Sequence, residues 1–256
     1  MTPDDAQPHP PAASPLPGTV LGRLGHLSDD ARRIEERVVP AWLRPTGPEN
    51  RLPVAVAIVG AAAMQFAIPD KYGLHPRWVI PSLELLLLAV LTVINPIRLT
   101  RATRIGKAAS LAVVAAITLD NAISAGLLDH QILTSKASGD AIGLLGSGAA
   151  IYLTNIIAFG IWYWELDRGG PFARSAASTA YPDFMFPQMS VPALAPPHWE
   201  PRFADYLYVS FTNVMAFSPT DTMPLSRWAK TLMAVQSMIA LSTIALVIAR
   251  AVNVLK

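Results

Sequence analysis

The amino-acid sequence predicts an all-α, polytopic membrane protein with about five transmembrane helices plus a re-entrant helix. Charged residues make up 15% of the chain and hydrophobic residues 52%, whereas a soluble domain is about a quarter charged. Five stretches approach or exceed the roughly 20 mostly apolar residues that a spanning helix needs. A further amphipathic stretch, too short to cross, precedes the last of them. These features together indicate a chain that folds in a bilayer and carries substantial aqueous loops.

The composition also excludes several classes of function. The absence of cysteine rules out a disulfide scaffold, a thiol nucleophile and a cysteine-ligated metal. A net charge of +2 gives no basis for a nucleic-acid partner. The histidines are scattered over tails and loops without metal-ligand spacing, and no catalytic motif occurs. We therefore expect no enzymatic activity, no metal site and no cofactor.

The N-terminal region precedes the membrane segments. Residues 1–27 are rich in proline and lack an apolar core, which predicts a disordered tail and no signal peptide. Residues 28–51 predict an amphipathic, interfacial segment. It begins with a short polar helix that Ser28 could cap, and its Trp42 and Arg44 suit the membrane interface.

Residues 52–165 predict a four-helix membrane domain. Its spans are residues 52–68, 78–96, 108–128 and 141–164, and residues 228–252 form a fifth span further along the chain. The fourth span ends in Trp162, Tyr163 and Trp164, an aromatic group that suits a headgroup belt.

Several polar residues fall inside these spans. Asp120 and Asn121 lie in the middle of the third span, and Asn155 lies midway along the fourth. An ionisable group at membrane depth is costly and marks a candidate functional site. Glu84 lies close enough to one end of the second span to reach the headgroups. Two interpretations stay open: a polar cluster that holds the helices together, or a site for an ion or a proton.

The segment between the fourth and fifth spans is not hydrophobic enough to cross. Residues 166–202 predict a proline-rich loop, and residues 203–256 predict a short helix, a polar turn and the last span. The short helix covers residues 203–217, which Pro201 could open. A half-length helix followed by a polar segment and a full span is the outline of a re-entrant loop, which is tolerated at membrane depth where it is packed in protein or lines water.

This last region resembles the pore segment of two-transmembrane-type potassium channels. The resemblance rests on Asp205-Tyr206-Leu207-Tyr208-Val209-Ser210-Phe211-Thr212 and on Asp221-Thr222-Met223-Pro224-Leu225. In the family, a Tyr/Phe-x-Ser-Phe pore helix leads into a Thr-x-Gly-Tyr-Gly-Asp filter, with a proline three residues after the aspartate. The resemblance covers residues 203–253, and it implies a pore helix, a filter loop and an inner helix.

The filter positions depart from that family. Where the family has Thr-x-Gly-Tyr-Gly-Asp, this chain has Ala216-Phe217-Ser218-Pro219-Thr220-Asp221. The family's glycines permit backbone angles that are closed to other residues, and Pro219 fixes its own φ and has no N–H. The carbonyl ladder of a potassium filter therefore cannot form here unchanged, and potassium selectivity does not follow from the resemblance.

The resemblance implies an ion filter, for which the candidate residues are Phe217, Ser218, Pro219, Thr220, Asp221 and Thr222. In a fourfold assembly each residue becomes a ring, and a ring of carboxylates concentrates cations. The alternative interpretation is a polar loop that caps the last span, with Asp221 near Arg227 or Lys230.

Three residues spaced by seven share one face of the last span: Gln236, Thr243 and Arg250. They predict a pore-lining stripe or, equally, hydrogen bonds between helices. A ring of Arg250 would disfavour cations near it, so anion permeation stays open.

The sequence thus predicts a passive, pore-loop ion channel, related to potassium channels but with a non-standard filter. We expect a homotetramer in the bacterial inner membrane, with lipids, inorganic ions and other copies of the chain as its partners. The alternative is a non-conducting membrane scaffold or accessory subunit that keeps the pore-like fold.

Two arguments about orientation disagree. Basic residues are densest between the second and third spans, at Arg98, Arg101, Arg104 and Lys107. With five spans, the positive-inside rule places that linker, the N-terminus and the loop before the fifth span in the cytoplasm. The potassium-channel arrangement places the same loop outside and the C-terminus inside.

Overall fold

A computed structural model gives the structure of residues 43–69, 72, 76, 78–94, 104–134, 141–179, 181–191, 193, 195–196, 199–215 and 221–254. The predicted tail (1–27) and most of the predicted interfacial segment (28–51) lie outside these residues. The described part of the chain is mostly helical. Its larger helices are α1 (Leu52–Ala67), α2 (Val79–Ile94), α3 (Arg104–Leu133), α4 (Ala141–Leu166), α7 (Phe203–Val214) and α8 (Arg227–Val254).

Short elements join α4 to α8. A 3-10 turn (Asp167–Gly169) leads into α5 (Pro171–Ser175), strand β1 (Phe184–Met185) and α6 (Pro187–Ser190), and strand β2 (Met223–Pro224) follows α7. The two strands pair in antiparallel register, Phe184 opposite Pro224 and Met185 opposite Met223. The short sheet therefore ties the segment after α7 to the proline-rich loop before it.

Among the described residues, three helices are long and apolar enough to cross a membrane: α3, α4 with the turn that follows it, and α8. The predicted first and second spans correspond to α1 and α2, which have 16 residues each. At 1.5 Å per residue these helices are about 24 Å long, shorter than the roughly 30 Å of hydrocarbon in a typical bilayer. Pro53 lies in the first turn of α1, and Pro69 follows its last turn and stops it.

The helices run alternately up and down between two ends of the bundle. At one end, the Arg51 guanidinium before α1 donates to the Leu91 carbonyl of α2 (3.0 Å), and Lys107 of α3 donates to the Gly169 carbonyl after α4 (3.4 Å). The start of α8 reaches the same end, because Trp228 donates to Asp183 beside β1. We call this the loop-side end.

The buried apolar residues of the bundle form two clusters. The larger cluster lies toward the loop-side end and includes Ile58, Val113, Phe159 and Met233. The smaller one lies toward the opposite end and includes Ile68, Leu128, Ile151 and Val247. The larger cluster takes side chains from α1, α3, α4 and α8. The smaller one takes side chains from α3, α4 and α8 and from Ile68, which directly follows α1.

Candidate functional site

Helix α7 is the element that corresponds to the predicted pore helix. The Asp205 carboxylate accepts a hydrogen bond from the Arg202 backbone N–H (2.7 Å), which caps the first turn just after Pro201. The helix ends at Val214 after 12 residues. It is therefore about 18 Å long, too short to cross a bilayer, and it ends three residues before the predicted limit at Phe217.

Helix α7 packs into a groove between α4 and α8. The Ser210 hydroxyl donates to the Ile156 carbonyl of α4 (2.6 Å), and the Asn213 amide donates to the Met233 carbonyl of α8 (2.9 Å). Gly160 permits this close approach, since a Cβ at that position would lie 3.1 Å from the Leu207 Cα. The backbone of α7 is thus held directly against α4.

The C-terminal end of α7 lies halfway along α4. The Tyr152 hydroxyl of α4 donates to the Val214 carbonyl (3.0 Å), and Tyr152 is near the midpoint of the 26-residue helix α4. Helix α7 therefore begins at the loop-side end and stops in the middle of the bundle, and the chain has returned to the loop-side end when α8 begins.

Gln236 lies at the centre of a buried network that joins α4, α7 and α8. Its Oε1 accepts from the Tyr163 hydroxyl (2.6 Å) and the Asn213 amide (2.8 Å), and its Nε2 donates to the Ser210 carbonyl (3.0 Å) and hydroxyl (2.7 Å). Gln236, Tyr163 and Ser210 are fully buried. The network fixes the position of α7 relative to the two long helices beside it.

A buried carboxylate organises the loop-side end. Asp167 accepts from the backbone N–H groups of Asp183 (2.9 Å) and Phe184 (3.3 Å) and from the Tyr206 hydroxyl of α7 (2.6 Å). Asp183 in turn accepts from the Arg168 N–H and from the Trp228 indole (both 2.8 Å). Asp167 and Asp183 thereby connect the end of α4 to the sheet, to the start of α7 and to the start of α8.

Arg174 provides a second connection at the same end. Its guanidinium makes a two-point contact with the Glu49 carboxylate (3.0 and 3.1 Å) and donates to the carbonyls of Trp164 and Asp167. Burial by itself lowers the pKa of Arg174, but Tyr206, Glu49 and Asp167 outweigh it and hold that pKa above its ordinary value. Arg174 therefore stays charged at every pH at which the protein is handled.

The predicted filter residues are only partly covered by the structure. Phe217, Ser218, Pro219 and Thr220 lie outside the described residues, between the end of α7 and β2. Asp221 is exposed and Thr222 is buried. Within the part of the chain that the structure describes, no ion pair joins Asp221 to Arg227 or Lys230.

The predicted pore-lining stripe on α8 needs a correction. Gln236 and Thr243 do share one face of the helix, and Ala240 and Val247 share it with them, but this face is buried inside the chain against α4 and its neighbours. Arg250, farther along α8, is only partly exposed. Gln236 and Thr243 therefore do not face an axis between chains, because the packing of α8 within the bundle occupies that face.

A different stripe of α8 is exposed. Its members recur at alternating spacings of three and four residues, the period of a helical seam: Thr231, Ala234, Met238, Leu241, Ala245, Ile248 and Val252. The sequence pattern did not single out this stripe, because α8 is apolar on most of its faces and the buried side cannot be told from the exposed side by composition.

The polar residues predicted inside the third and fourth spans are all buried: Asp120, Asn121 and Asn155. Glu84 of α2 was expected to reach the headgroups, but it is fully buried and accepts a hydrogen bond from Gln65 of α1 (3.0 Å). Sequence reasoning overlooked Gln65, Asp167 and Arg174. The run Glu165-Leu166-Asp167-Arg168-Gly169-Gly170-Pro171, charged immediately after an apolar span, is the signal that could have identified Asp167.

Comparisons of the chain with protein-family models, with curated proteins and with solved structures found no match.

Proposed function

We propose that this chain is a passive ion channel of the pore-loop type that works as a homotetramer. The observation that carries the proposal is helix α7. It starts at the loop-side end, stops halfway along α4 and is followed by a chain that returns to the same end. This course supports a re-entrant loop, which is tolerated at membrane depth only where it is packed in protein or lines water.

The pore is proposed to form where four copies bring residues 216–222 together. Each chain has one such segment, so a ring needs several copies, as in the four filter loops of potassium channels. The outer side of α7 carries exposed apolar side chains, with Tyr208 52% and Phe211 42% exposed. These side chains are available to contact a neighbouring copy or lipid.

Cations are the proposed permeant ions. The carbonyl end of α7 carries the negative end of the helix dipole and points into the middle of the bundle. Asp221 is exposed at the other end of the proposed filter loop, and a ring of four carboxylates concentrates cations. Arg250 lies near the far end of α8, away from this loop, where a ring of guanidinium groups would instead favour anions.

The exposed stripe of α8, from Thr231 to Val252, is proposed to face the fourfold axis. It replaces Gln236 and Thr243 as the pore-lining surface, and its alanines allow close approach of neighbouring helices. Helices α1 and α2 are proposed to cross the membrane as well. Their alternating directions fit two further spans, and local bilayer thinning accommodates helices that are a few ångströms short.

The orientation proposed here follows the basic residues. Arg104 and Lys107 lie where α3 begins, at the same loop-side end as α7 and β2. The positive-inside rule therefore places the entrance of the re-entrant loop on the cytoplasmic side, which is opposite to the arrangement in potassium channels.

A second candidate function is a non-conducting scaffold or accessory subunit. The observation that favours it is Pro219, which stands where the potassium-channel family has a flexible glycine and cannot supply the same backbone geometry. In that case the polar networks around Asp167 and Gln236 serve architecture alone.

Ion flux into liposomes separates the two candidates. Purified protein is reconstituted, and the uptake of Na⁺, K⁺ and Cl⁻ is measured together with the mass of the assembly in detergent. We expect a tetramer with cation flux that exceeds chloride flux. A monomer, or liposomes with no flux of any of the three ions, would sink the channel proposal.

A charge substitution tests the filter. Asp221→Asn removes the proposed ring of four carboxylates, so the ratio of cation to chloride flux should fall several-fold. Glu200→Gln is the matched control, since Glu200 is also a carboxylate at the loop-side end but pairs with the exposed Arg202 outside the filter. Equal ratios in the two variants would count against the assignment of Asp221.

A further inference from the structure

A layer of buried polar side chains crosses the four-helix domain, helices α1 to α4, and extends to the middle of α8. Each of the five helices α1, α2, α3, α4 and α8 contributes at least one side chain to what we call the polar layer: Gln65, Glu84, Asp120, Asn121, Asn155 and Thr243. All six residues are more than nine-tenths buried.

Contacts between helices place the polar residues of α1, α2, α3 and α4 at a similar depth in the bundle. The Gln65 amide donates to the Glu84 carboxylate (3.0 Å). The carboxyl groups of Glu84 and Asp120 are close enough to interact electrostatically. Met64, beside Gln65, meets the hydroxyl of Thr154, which is beside Asn155 (Sδ to Oγ1 3.9 Å). Helices α1, α2, α3 and α4 thus bring their polar residues to the same level.

The positions of Asn155 and Thr243 in the layer follow from the antiparallel packing of α4 against α3 and α8. Trp162 donates to Thr118 of α3 (2.8 Å), and Asn155 lies two turns back on the same face. Because the two helices are antiparallel, this places Asn155 near Ala125, one helical turn from Asn121 on α3. On α8, the Tyr163–Gln236 hydrogen bond and the contact of Gly148 with Val247 lie on either side of Asn155 and Thr243.

The polar layer is sealed on both sides by apolar residues. On α3, Ile117 belongs to the cluster toward the loop-side end and Ala125 to the opposite cluster, with Asp120 and Asn121 between them. On α1, Gln65 lies between Ala61 and Ile68 in the same way. The carboxyl groups of the layer therefore cannot reach the headgroups by extending along the helix.

Several atoms of the polar layer have no hydrogen-bond partner within the described part of the chain. They are Gln65 Oε1, Glu84 Oε2, Asn121 Oδ1, both amide atoms of Asn155, and Thr243 Oγ1. A buried polar atom without a partner is costly, and such atoms are few in native proteins unless they serve a function or hold water or an ion. Four of the six atoms are amide or carboxyl oxygens, so the layer is short of positive charge and donors.

Within the described ranges of the chain, no basic side chain supplies that positive charge. The buried arginines of the described residues are Arg51, Arg168 and Arg174, and all of them lie at the loop-side end. The layer thus holds two carboxyl groups without a basic partner. An ionised carboxylate at membrane depth needs a neutralising partner.

We propose that the polar layer binds a small, hard monovalent cation of the sodium class. Glu84 and Asp120 supply charge, and the amide oxygens of Gln65, Asn121 and Asn155 supply neutral ligands. Oxygen donors suit hard cations. The described residues hold no group of three or more histidine or acidic side chains that could bind a more highly charged or softer metal. This site lies in the four-helix domain and does not rest on the channel proposal.

Cation-dependent stability tests the proposal. Thermal unfolding of the full chain in detergent is followed by tryptophan fluorescence at fixed pH and ionic strength, while NaCl, LiCl or KCl replaces choline chloride. A ligand that binds only the folded state stabilises by mass action. Above the Kd, the unfolding constant should fall about tenfold for each tenfold rise in free Na⁺. An unfolding midpoint that is the same in all four salts would overturn the proposal.

Variants locate the site. Glu84→Gln should abolish the Na⁺ dependence, and Asn155→Ala, which keeps both carboxyl groups, should weaken the apparent affinity at least tenfold. Asp221→Asn, an exposed carboxylate outside the layer, is the control and should keep the full dependence, which separates this site from the proposed filter. If the Na⁺ dependence persists unchanged in Glu84→Gln and Asn155→Ala, the assignment is overturned. It is also overturned if the unfolding midpoint responds to pH but not to any metal cation, because the layer would then take up protons.

Discussion

Replacing Gln236 by leucine should loosen the position of α7 in the bundle. Gln236 makes four hydrogen bonds to three residues of α4 and α7, Tyr163, Ser210 and Asn213. Leucine is close in volume but can accept and donate none of them. The Tyr163 hydroxyl, which is fully buried, then loses its acceptor, whereas Ser210 and Asn213 keep their bonds to the Ile156 and Met233 carbonyls.

The magnitude follows from the number of partners. A hydrogen bond between helices in a membrane protein contributes about 0.6 kcal/mol on average, so the loss of four hydrogen bonds to three partners lowers the free energy of unfolding by about 2.4 kcal/mol. Tyr163→Phe removes only one partner and should cost about 0.6 kcal/mol by the same rule. Once Gln236 has been replaced, Tyr163→Phe should cost almost nothing further.

The assay is unfolding in mixed micelles of a mild detergent and SDS, monitored by tryptophan fluorescence for the two single variants and the double variant. Ser237→Ala serves as the control, because Ser237 neighbours Gln236 on α8 but makes one longer hydrogen bond to Asn213 (3.2 Å). If Gln236→Leu unfolds at the same SDS fraction as wild type, or if the two substitutions are additive, the network does not hold α7 in place and the reasoning fails.

Two further predictions concern the loop-side end. Asp167→Ala leaves the Tyr206 hydroxyl and two backbone N–H groups without their acceptor and removes the buried ion pair between Asp167 and the Arg168 guanidinium (3.4 Å). It should lower the free energy of unfolding by about 3 kcal/mol, as for other broken buried ion pairs. Glu200→Ala, which removes an exposed pair, should change the free energy of unfolding by less than about 1 kcal/mol. Equal losses in SDS unfolding would contradict the role given to Asp167. The chain has no native cysteine, so Arg202→Cys (loop-side end) and Leu133→Cys (opposite end), both at exposed positions, can be labelled singly. With an impermeant maleimide, Leu133→Cys should react on intact bacterial cells, whereas Arg202→Cys should react only in inside-out vesicles. The reverse pattern would show that the positive-inside rule fails for this chain and that the proposed re-entrant loop faces outward, as in potassium channels.

Helix α7 shows how far the sequence pattern reaches. Pro201, the amphipathic run after it and the polar turn at Asp221 predicted a short helix followed by an extended segment, and α7 and β2 lie there. The sequence could not show that β2 pairs with Phe184 and Met185, nor that Asp167 caps that sheet. Such pairings join residues far apart in the chain, and the local pattern carries no information about which distant partner they meet.

Helix α8 shows where the pattern fails. Seven-residue spacing correctly placed Gln236 and Thr243 on one face, but the direction of that face was decided by packing against α4. In a helix that is apolar nearly all round, the burial of methyl groups favours no face over another. A hydrogen bond to Tyr163 and the close contact of Val247 with Gly148 decide the rotation instead.

The scarcity of charge by itself determined that the chain contains helices fit for a membrane, since 15% charged residues cannot cover a soluble protein, and the lengths of the apolar runs located α3, α4 and α8. Only the tertiary structure decided that Glu84, Asp120 and Asn155, which stand on three different helices, share one sealed layer. The physical reason is that hydrophobicity acts on each segment separately and depends on its composition, whereas a site depends on which faces meet. That choice is made by specific hydrogen bonds and close contacts between helices.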